Sequence, residues 1–347
     1  MKKTDYVPLV GILASKGGKN HIFRGNATVF KNIQSELSKF GGLSFVFTTD
    51  GVEENGVNGY VYFFEWKKWG KISFPFPDII YNKISSRSEE ISKEVLALKA
   101  LYEQQRKPFF NYGFFNKWET YYALSQDSEM QSYLPKTWLL TDIVHISDLL
   151  HSHNSLYAKP KNGHKGSGIY KLSRKEAHYT VQSNTTTIYY NEENFRTWVN
   201  SHLNREKYLL QEEIITDKIE DCKYDLRVIC LYRDNEYKPV GIGVRKASKS
   251  SIITHVPNGG EIISFEQVKE RCSTKQINWL ANKVGTLLTK AFGFVGEFSL
   301  DIGLTPEGCP FLFEVNSKPM IFDEQEIQKQ RITELVQLFI ELEKYHK

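Results

Sequence analysis

The chain has 347 residues, with 45 Lys and Arg against 41 Asp and Glu, a formal net charge of +4. Its 40% hydrophobic and 25% charged residues are those of a folded chain of two or three domains and exclude extensive disorder. No long block of one charge sign marks a nucleic-acid partner, and the apolar run before Lys16 is too short for a signal peptide or membrane span, so a cytoplasmic protein without membrane attachment is expected.

In chain order, residues 6–14 (YVPLVGILA) read as a buried strand, and residues 26–40 carry apolar side chains at helical spacing after an Asn cap. SKGGKN between them lacks the spacing and terminal Ser or Thr of a phosphate-binding P-loop and reads as a turn. GLSFVFTT is strand-like, GYVYFFEWKKWGKISF reads as two strands around a Lys-Lys-Trp-Gly turn, and FPFPDIIYNKISSR adds a strand end. Helices are expected at 89–107 and 116–126, and the break from Pro108 to Gly113 places a domain boundary near residue 112. Short strands at 156–160, 168–173, 186–190 and 207–211 around a helix at 191–202 predict an antiparallel sheet with helices on one side. Strands at 224–232 and 238–246 follow, then a long amphipathic stretch, two strands joined by TPEG, and a helix from about 324 to 346. The four cysteines, Cys222, Cys230, Cys272 and Cys309, have no metal-ligand spacing and read as free thiols.

The last strand pair carries the densest chemistry. Glu314 and Asn316 are two apart and share a strand face, and a hairpin turning near Pro306 and Glu307 brings Asp301 beside them. Two carboxylates and an amide suit Mg²⁺, whose octahedron is completed by phosphate oxygens and waters; read alone, the same hairpin fits a polar solvent face equally well. Upstream, YAKPKNGHKGSGIYKL places Lys159 on a strand before a loop with Gly163, Gly166 and Gly168, which fits a phosphate-covering flap and, equally, a glycine-rich hairpin with solvated lysines. Alternation puts Asp225 and Arg227 on one strand face, where surface pairing would also explain them. The HSH run at 151–153 reads as a solvated loop in preference to a metal pair.

Taken in order, NKWETYYAL, LPKTWLL, YAKPKNGHKGSGI, YLLQEEI, YDLRVICL, THVPNGG, GEFSLDIGL and FEVNSKP resemble the motifs of the ATP-grasp superfamily, and within it the YheC/YheD family of endospore coat-associated proteins, over nearly the whole chain. The resemblance implies a multi-domain α/β (α+β) protein. An N-terminal α/β domain (1–112) would be followed by an ATP-grasp domain (113–347), its lobes 113–213 and 214–347 holding the nucleotide between antiparallel sheets. Carried across, Lys117 and Lys159 match phosphate-contacting lysines, and Gln211, Glu212, Glu213 and Ile214 match the adenine-binding hinge. Asp217 falls where the ribose is often held, Arg227 and Arg245 where phosphate or the acyl intermediate is met, and Asp301, Glu314 and Asn316 at the magnesium ligands. Glu213 departs from the usual hinge residue, and Met320 replaces a frequent Gly beyond the metal site, which puts acceptor geometry in doubt more than nucleotide binding.

The activity this implies is a carboxylate–amine ligase using ATP with Mg²⁺, or Mn²⁺ in its place, through an acyl phosphate. The carboxylate and amine are unidentified, and a peptide or coat protein is among the partners implied. The same scaffold also accommodates a kinase, or an ATP-binding structural protein of the spore coat. PDIIYNKISSR, with Asn82, Lys83 and Arg87, is expected to face the cleft from the N-terminal side.

Overall fold

The structure is a computed structural model that describes residues 6–19, 21–163, 166–176, 178–249, 251–254 and 259–345. His164 and Lys165 of the glycine-rich loop and residues 255–258 of THVPNGG therefore lie outside the described residues.

The first sheet is built from β1 (Leu9–Lys16), β2 (Phe23–Arg24), β3 (Leu43–Phe47), β4 (Val52–Glu53), β5 (Gly56–Phe63), β6 (Lys68–Phe74), β7 (Ile79–Lys83) and β8 (Phe109–Phe110). Its central strands β3, β1, β7 and β8 run parallel and β4 to β6 form an antiparallel margin. β1 is buried on both faces, which accounts for its unbroken apolar run LVGILA. Helix α1 (Ala27–Ser38) starts where the Asn26 side chain accepts from the Val29 amide, and it buries Phe30, Ile33 and Leu37 at helical spacing. Two further helices, α2 (Arg87–Glu90) and α3 (Lys93–Gln104), replace the single helix expected over 89–107. Ser92 is extended and caps α3 through its side chain, so the helix has to restart there. The β5–β6 turn also differs from expectation. It falls at 64–67, with Lys67 at φ +49°, because Gly70 sits inside β6 under the Phe63 ring and does not form the turn.

The second sheet is antiparallel, in the order β13-β12-β11-β10-β14-β9. Its strands are β9 (Thr137–Leu139), β10 (Ser155–Pro160), β11 (Tyr170–Lys175), β12 (His178–Gln182), β13 (Thr187–Tyr190) and β14 (Tyr208–Glu212). Helix α4 (Lys117–Ser125) precedes it, and α5 (Ile143–Ser152) and α6 (Glu192–His202) pack with it through Ile146, Leu150, Phe195, Trp198 and Val199. β9, β12 and α5 have no counterpart in the sequence reading, since their short apolar runs fall among polar residues. His151 is therefore helical, its ring nitrogen bonded to the Ser147 carbonyl, where a loop was expected.

The third sheet, also antiparallel, runs β18-β17-β16-β19-β20, with β15 on β16. It comprises β15 (Lys218–Ile219), β16 (Cys222–Arg233), β17 (Glu236–Lys246), β18 (Glu261–Ile263), β19 (Glu297–Leu304) and β20 (Pro310–Asn316). Helix α7 (Thr274–Phe292) covers one face, burying Ile277, Leu280, Ala281, Val284 and Leu288. Gly285 is required in that contact, because a Cβ there would lie 2.2 Å from the Tyr237 ring. The last helix, α8 (Gln325–Tyr345), covers the other face and joins one apolar cluster with α1, β1, Ile229 and Leu231. All four cysteines are free.

Where the first sheet meets the third, Glu297 is completely buried. It accepts from Arg331 Nε and Nη2 at 2.9 and 2.7 Å and from Tyr81 Oη at 2.9 Å, with Lys83 Nζ at 3.6 Å. Asn111 clamps the same junction, accepting from the Gly296 and Glu297 amides and donating to the Glu297 and Ser317 carbonyls. Burial alone would raise the Glu297 carboxyl, but Arg331 and Lys83 overcome it and hold the pKa near 2. A carboxyl depressed in the folded state stabilises the protein above its ordinary pKa near 4.5 and loses that contribution as pH falls from there toward 2. The expected difference across this window is on the order of 3 kcal/mol. Urea unfolding at pH 7, 5 and 3 checks it. Glu297→Gln should lose about 3–5 kcal/mol at pH 7 and show a flatter acid limb than wild type, whereas an unchanged pH slope would contradict this role.

Candidate active site

A cleft of about 1120 Å³ opens between the three sheets. Its floor is the β19–β20 hairpin, where Asp301 pairs across the ladder with Glu314 and Ser299 with Asn316. A bulge follows Asp301, so that Ile302 faces Leu312 and Phe313 is the extra residue. Asp301, Phe313, Glu314 and Asn316 all line the cleft.

Both floor carboxylates are held by cations. Lys117, at the start of α4, donates to Glu314 at 2.5 Å and to the Gly163 carbonyl at 3.2 Å, tying the floor to the glycine-rich loop. Arg245 reaches Asp301 at 3.1 Å and grips Asp225 through Nε and Nη2 at 2.8 and 2.7 Å. Asp225 and Arg245 are 6% and 7% exposed, so Asp225 is paired in the interior with Arg245 and not at the surface with Arg227, as alternation alone allowed. Thr254 adds a 2.6 Å donation to Asp225. Burial lifts the Asp225 carboxyl, while for Asp301 burial is outweighed by Arg245 and Arg227, which keep it below the usual carboxylate range.

Among the described residues Asp301 Oδ1 is buried without a hydrogen-bond partner, and Glu314 is the residue directly across the ladder from Asp301. An orphaned buried carboxylate oxygen beside a second carboxylate and an amide fits a hard divalent cation. Among the described residues no group of three or more His, Cys, Asp or Glu converges on a metal-sized site. Two carboxylates plus Asn316 would leave coordination positions for phosphate oxygens and water, as Mg²⁺ favours.

The second sheet supplies the opposite wall. Lys159 stands on β10 and donates to the Gln211 side chain on β14, and among the described residues it has no ion pair; burial pushes its ammonium down to about 8. Gly163 and Gly166 line the cleft. Gly168 lies behind them at φ +72°, where a Cβ would crowd Tyr208 Oη at 3.0 Å and Pro160 at 3.1 Å. Gln211, Glu212 and Ile214 line the cleft with Ile169 and Tyr157. Glu213 is turned to Lys171, Lys223 and Ser155, which hold its carboxyl near 2 against the effect of burial. Asp217 accepts from Tyr224 Oη at 2.8 Å and Arg271 at 2.7 Å, and stands outside the cleft lining.

Arg227 joins from β16, stacked over Phe322, with its buried Nε unpartnered among the described residues. Lys83 lines the cleft from β7 and Arg87 from the start of α2, while Asn82 is buried behind them on Glu90 and the Asn111 carbonyl. Lys318, Arg331 and Lys223 also line the cleft and were not picked out from the sequence. Lys318 sits inside FEVNSKP, read there only for its oxygen donors. Arg331 would have been found as a charged residue on the buried stripe of an otherwise amphipathic helix.

Residues 106–345 match the family model described as YheC/D like ATP-grasp. The endospore coat-associated protein YheD of Bacillus subtilis (strain 168) is 27% identical over 331 residues, 90% of this chain and 72% of that protein. YheC of the same organism, also named endospore coat-associated, is 24% identical over 277 residues, 76% of each chain. Among solved structures, D-alanyl-alanine synthetase A from Vibrio cholerae O1 biovar eltor str. N16961 superposes with a TM-score of 0.53 at 13% identity, covering 97% of this chain and 98% of that one, which shows a shared fold. No helix among the described residues is long and apolar enough to cross a membrane.

The Asp225–Arg245–Asp301 arrangement predicts that Asp225→Ala, by leaving Arg245 half paired in the interior, lowers stability by roughly 3 kcal/mol in urea unfolding. A loss below about 1 kcal/mol would mean that the pair is solvated.

Proposed function

We propose, on the premise that this chain belongs to the YheC/D-like ATP-grasp family, that it is a Mg-ATP-dependent ligase joining a carboxylate to an amine. The observation that carries this reading is the floor of the cleft: Asp301 and Glu314 opposed across one hairpin, with Lys117, Lys159, Arg227 and Arg245 around them. The reading divides the chain at about residues 112 and 213 and lays the nucleotide between the second and third sheets. The adenine lies against the backbone from Gln211 to Ile214 and the phosphates under Gly163 and Gly166, while Asp217, held by Tyr224 and Arg271 outside the cleft lining, would reach a ribose only by leaving Arg271.

Asp301, Glu314 and Asn316 would hold Mg²⁺, with Mn²⁺ as a substitute, and the ion would supply charge neutralisation at the transferring phosphoryl group. The chain's own residues do the remaining positioning. Lys117 and Lys159 fix phosphate oxygens as point charges, and Arg227 and Arg245 offset charge that develops as the phosphoryl group moves. A substrate carboxylate oxygen forms a bond to the γ-phosphorus while the bond to the ADP oxygen breaks. The amine nitrogen then bonds to the acyl carbon, inorganic phosphate leaves, and the nitrogen gives up a proton. The names of the two Bacillus subtilis relatives support an association with the spore coat, and a peptide or coat protein is the substrate class this reading takes.

Calorimetric titration of the whole chain with ATP, with and without Mg²⁺, tests the site. Binding should depend on Mg²⁺ and weaken at least about tenfold in Glu314→Ala, or about 1.4 kcal/mol. Absence of binding by folded wild type would overturn the reading and favour a structural coat protein. Given binding, phosphate release that requires both carboxylate and amine identifies the ligase, and a stable phosphorylated product identifies a kinase.

A further inference from the structure

Three buried polar atoms lie without partners around the start of α8. Among the described residues, Arg227 Nε, Glu324 Oε1 and Gln328 Nε2 form no hydrogen bond. The segment that carries Glu324 is itself fixed. Arg331 donates to the Pro319 and Met320 carbonyls at 3.4 and 3.2 Å, and the Phe322 amide donates to Gln328 Oε1 at 3.3 Å. The Phe322 ring lies under the Arg227 guanidinium, its centroid 5.3 Å from Cζ.

Strand register brings Glu324 to Arg227. Gly243 on β17 is the cross-strand partner of Arg227 on β16, and the Glu324 carboxyl rests on it: a Cβ at Gly243 would lie 2.6 Å from Oε1 and 3.2 Å from the carboxyl carbon, and its three nearest atoms all belong to Glu324. Partners directly opposite on antiparallel strands share a face, with β-carbons about 5 Å apart, so the carboxylate is within a rotamer change of the guanidinium. On its other side Arg227 faces Asp301, its partner on β19, which Arg245 already holds. A buried carboxylate oxygen and a buried guanidinium N–H each cost free energy when unpartnered, and one charge-assisted bond between them removes both costs. Gln328, four residues after Glu324, has an Nε2 donor for the same carboxylate, which has lone pairs for both.

We propose that Glu324 is the positioning residue of Arg227: its carboxylate accepts from Nε and holds the guanidinium on the Phe322 ring with the Nη groups free for a ligand. Arg227 lines the cleft and Glu324 stands outside its lining, so Glu324 acts through the arginine. Gly243 makes room for the carboxylate. The assignment of Arg227 to the transferring phosphoryl group rests on the ligase reading, whereas the pairing of Glu324 with Arg227 rests on register and packing alone. The two ways in which Glu324 could affect a phosphate differ in sign. A bare negative charge nearby weakens phosphate binding, so its removal tightens it; a carboxylate that orients the arginine supports binding, so its removal weakens it.

AMP-PNP and ADP, each with Mg²⁺, are titrated calorimetrically into the whole chain and into two variants: Glu324→Gln, and Gly243→Ala, which displaces the carboxylate but keeps its charge. Both variants should weaken AMP-PNP about fivefold or more while changing ADP less than about twofold, since only AMP-PNP carries a γ-phosphoryl group. In an Arg227→Met background, Glu324→Gln should change AMP-PNP affinity by less than about twofold. Unchanged or tighter AMP-PNP binding by Glu324→Gln overturns the proposal, and so does an equal loss of AMP-PNP and ADP, which would mark a merely structural residue. If wild type binds no nucleotide, the ATP reading fails by itself, and urea unfolding of Arg227→Met, Glu324→Gln and the double variant decides the pairing. A midpoint shift in the double variant well short of the sum of the two single shifts supports it, and additive shifts overturn it.

Discussion

The arrangement of the cleft depends on one buried carboxylate. Glu297 opens β19, yet its partners come from β7 through Tyr81 and Lys83 and from α8 through Arg331. An ionised carboxylate in an apolar interior persists only when cations and donors surround it, so this requirement fixes the first sheet and the last helix against the third sheet. Four residues further along β19, Asp301 is thereby set at a defined depth below the wall that carries Lys83 and Arg87. The pairs that hold the fold together and the charges that face the ligand belong to one connected network.

Within that network the two ends of the cleft differ in kind. At the hairpin floor, each carboxylate is matched by a cation, Glu314 by Lys117 and Asp301 by Arg245, and a divalent ion entering there would take over a role that side-chain charges hold in its absence. At the wall, Arg331 and Lys83 share Glu297 and Lys318 is paired with Glu90, while Arg87 has no ion pair among the described residues. The C-terminal helix contributes to both ends, since Arg331 anchors Glu297 and Phe322, just before α8, supports the Arg227 guanidinium.

The start of α1 and the hairpin at the floor of the site were legible in the sequence because both rest on local regularities. The alternation in GEFSLDI and FEVNS was enough to bring Asp301, Glu314 and Asn316 together, and the Asn26 cap marked the start of α1. What escaped was long-range. Arg331 stands on the apolar stripe of its helix, four residues before Leu335, but nothing local names Glu297, 34 positions away, as its partner. Lys318 and Glu90 are 228 residues apart, and neither has a local pattern that names the other. The turn assigned to Lys-Lys-Trp-Gly moved for a related reason: Gly70 serves a cross-strand aromatic contact, which no local turn rule contains.

The most direct test of the central claim is a crystal of the chain grown with Mn²⁺ and AMP-PNP, using the anomalous signal of manganese to locate the ion. The account predicts manganese between the Asp301 and Glu314 carboxylates, with the γ-phosphate on it and the wall of Lys83 and Arg87 free of nucleotide. Manganese or phosphate bound at Lys83 and Arg87, with the Asp301–Glu314 hairpin empty, would contradict it.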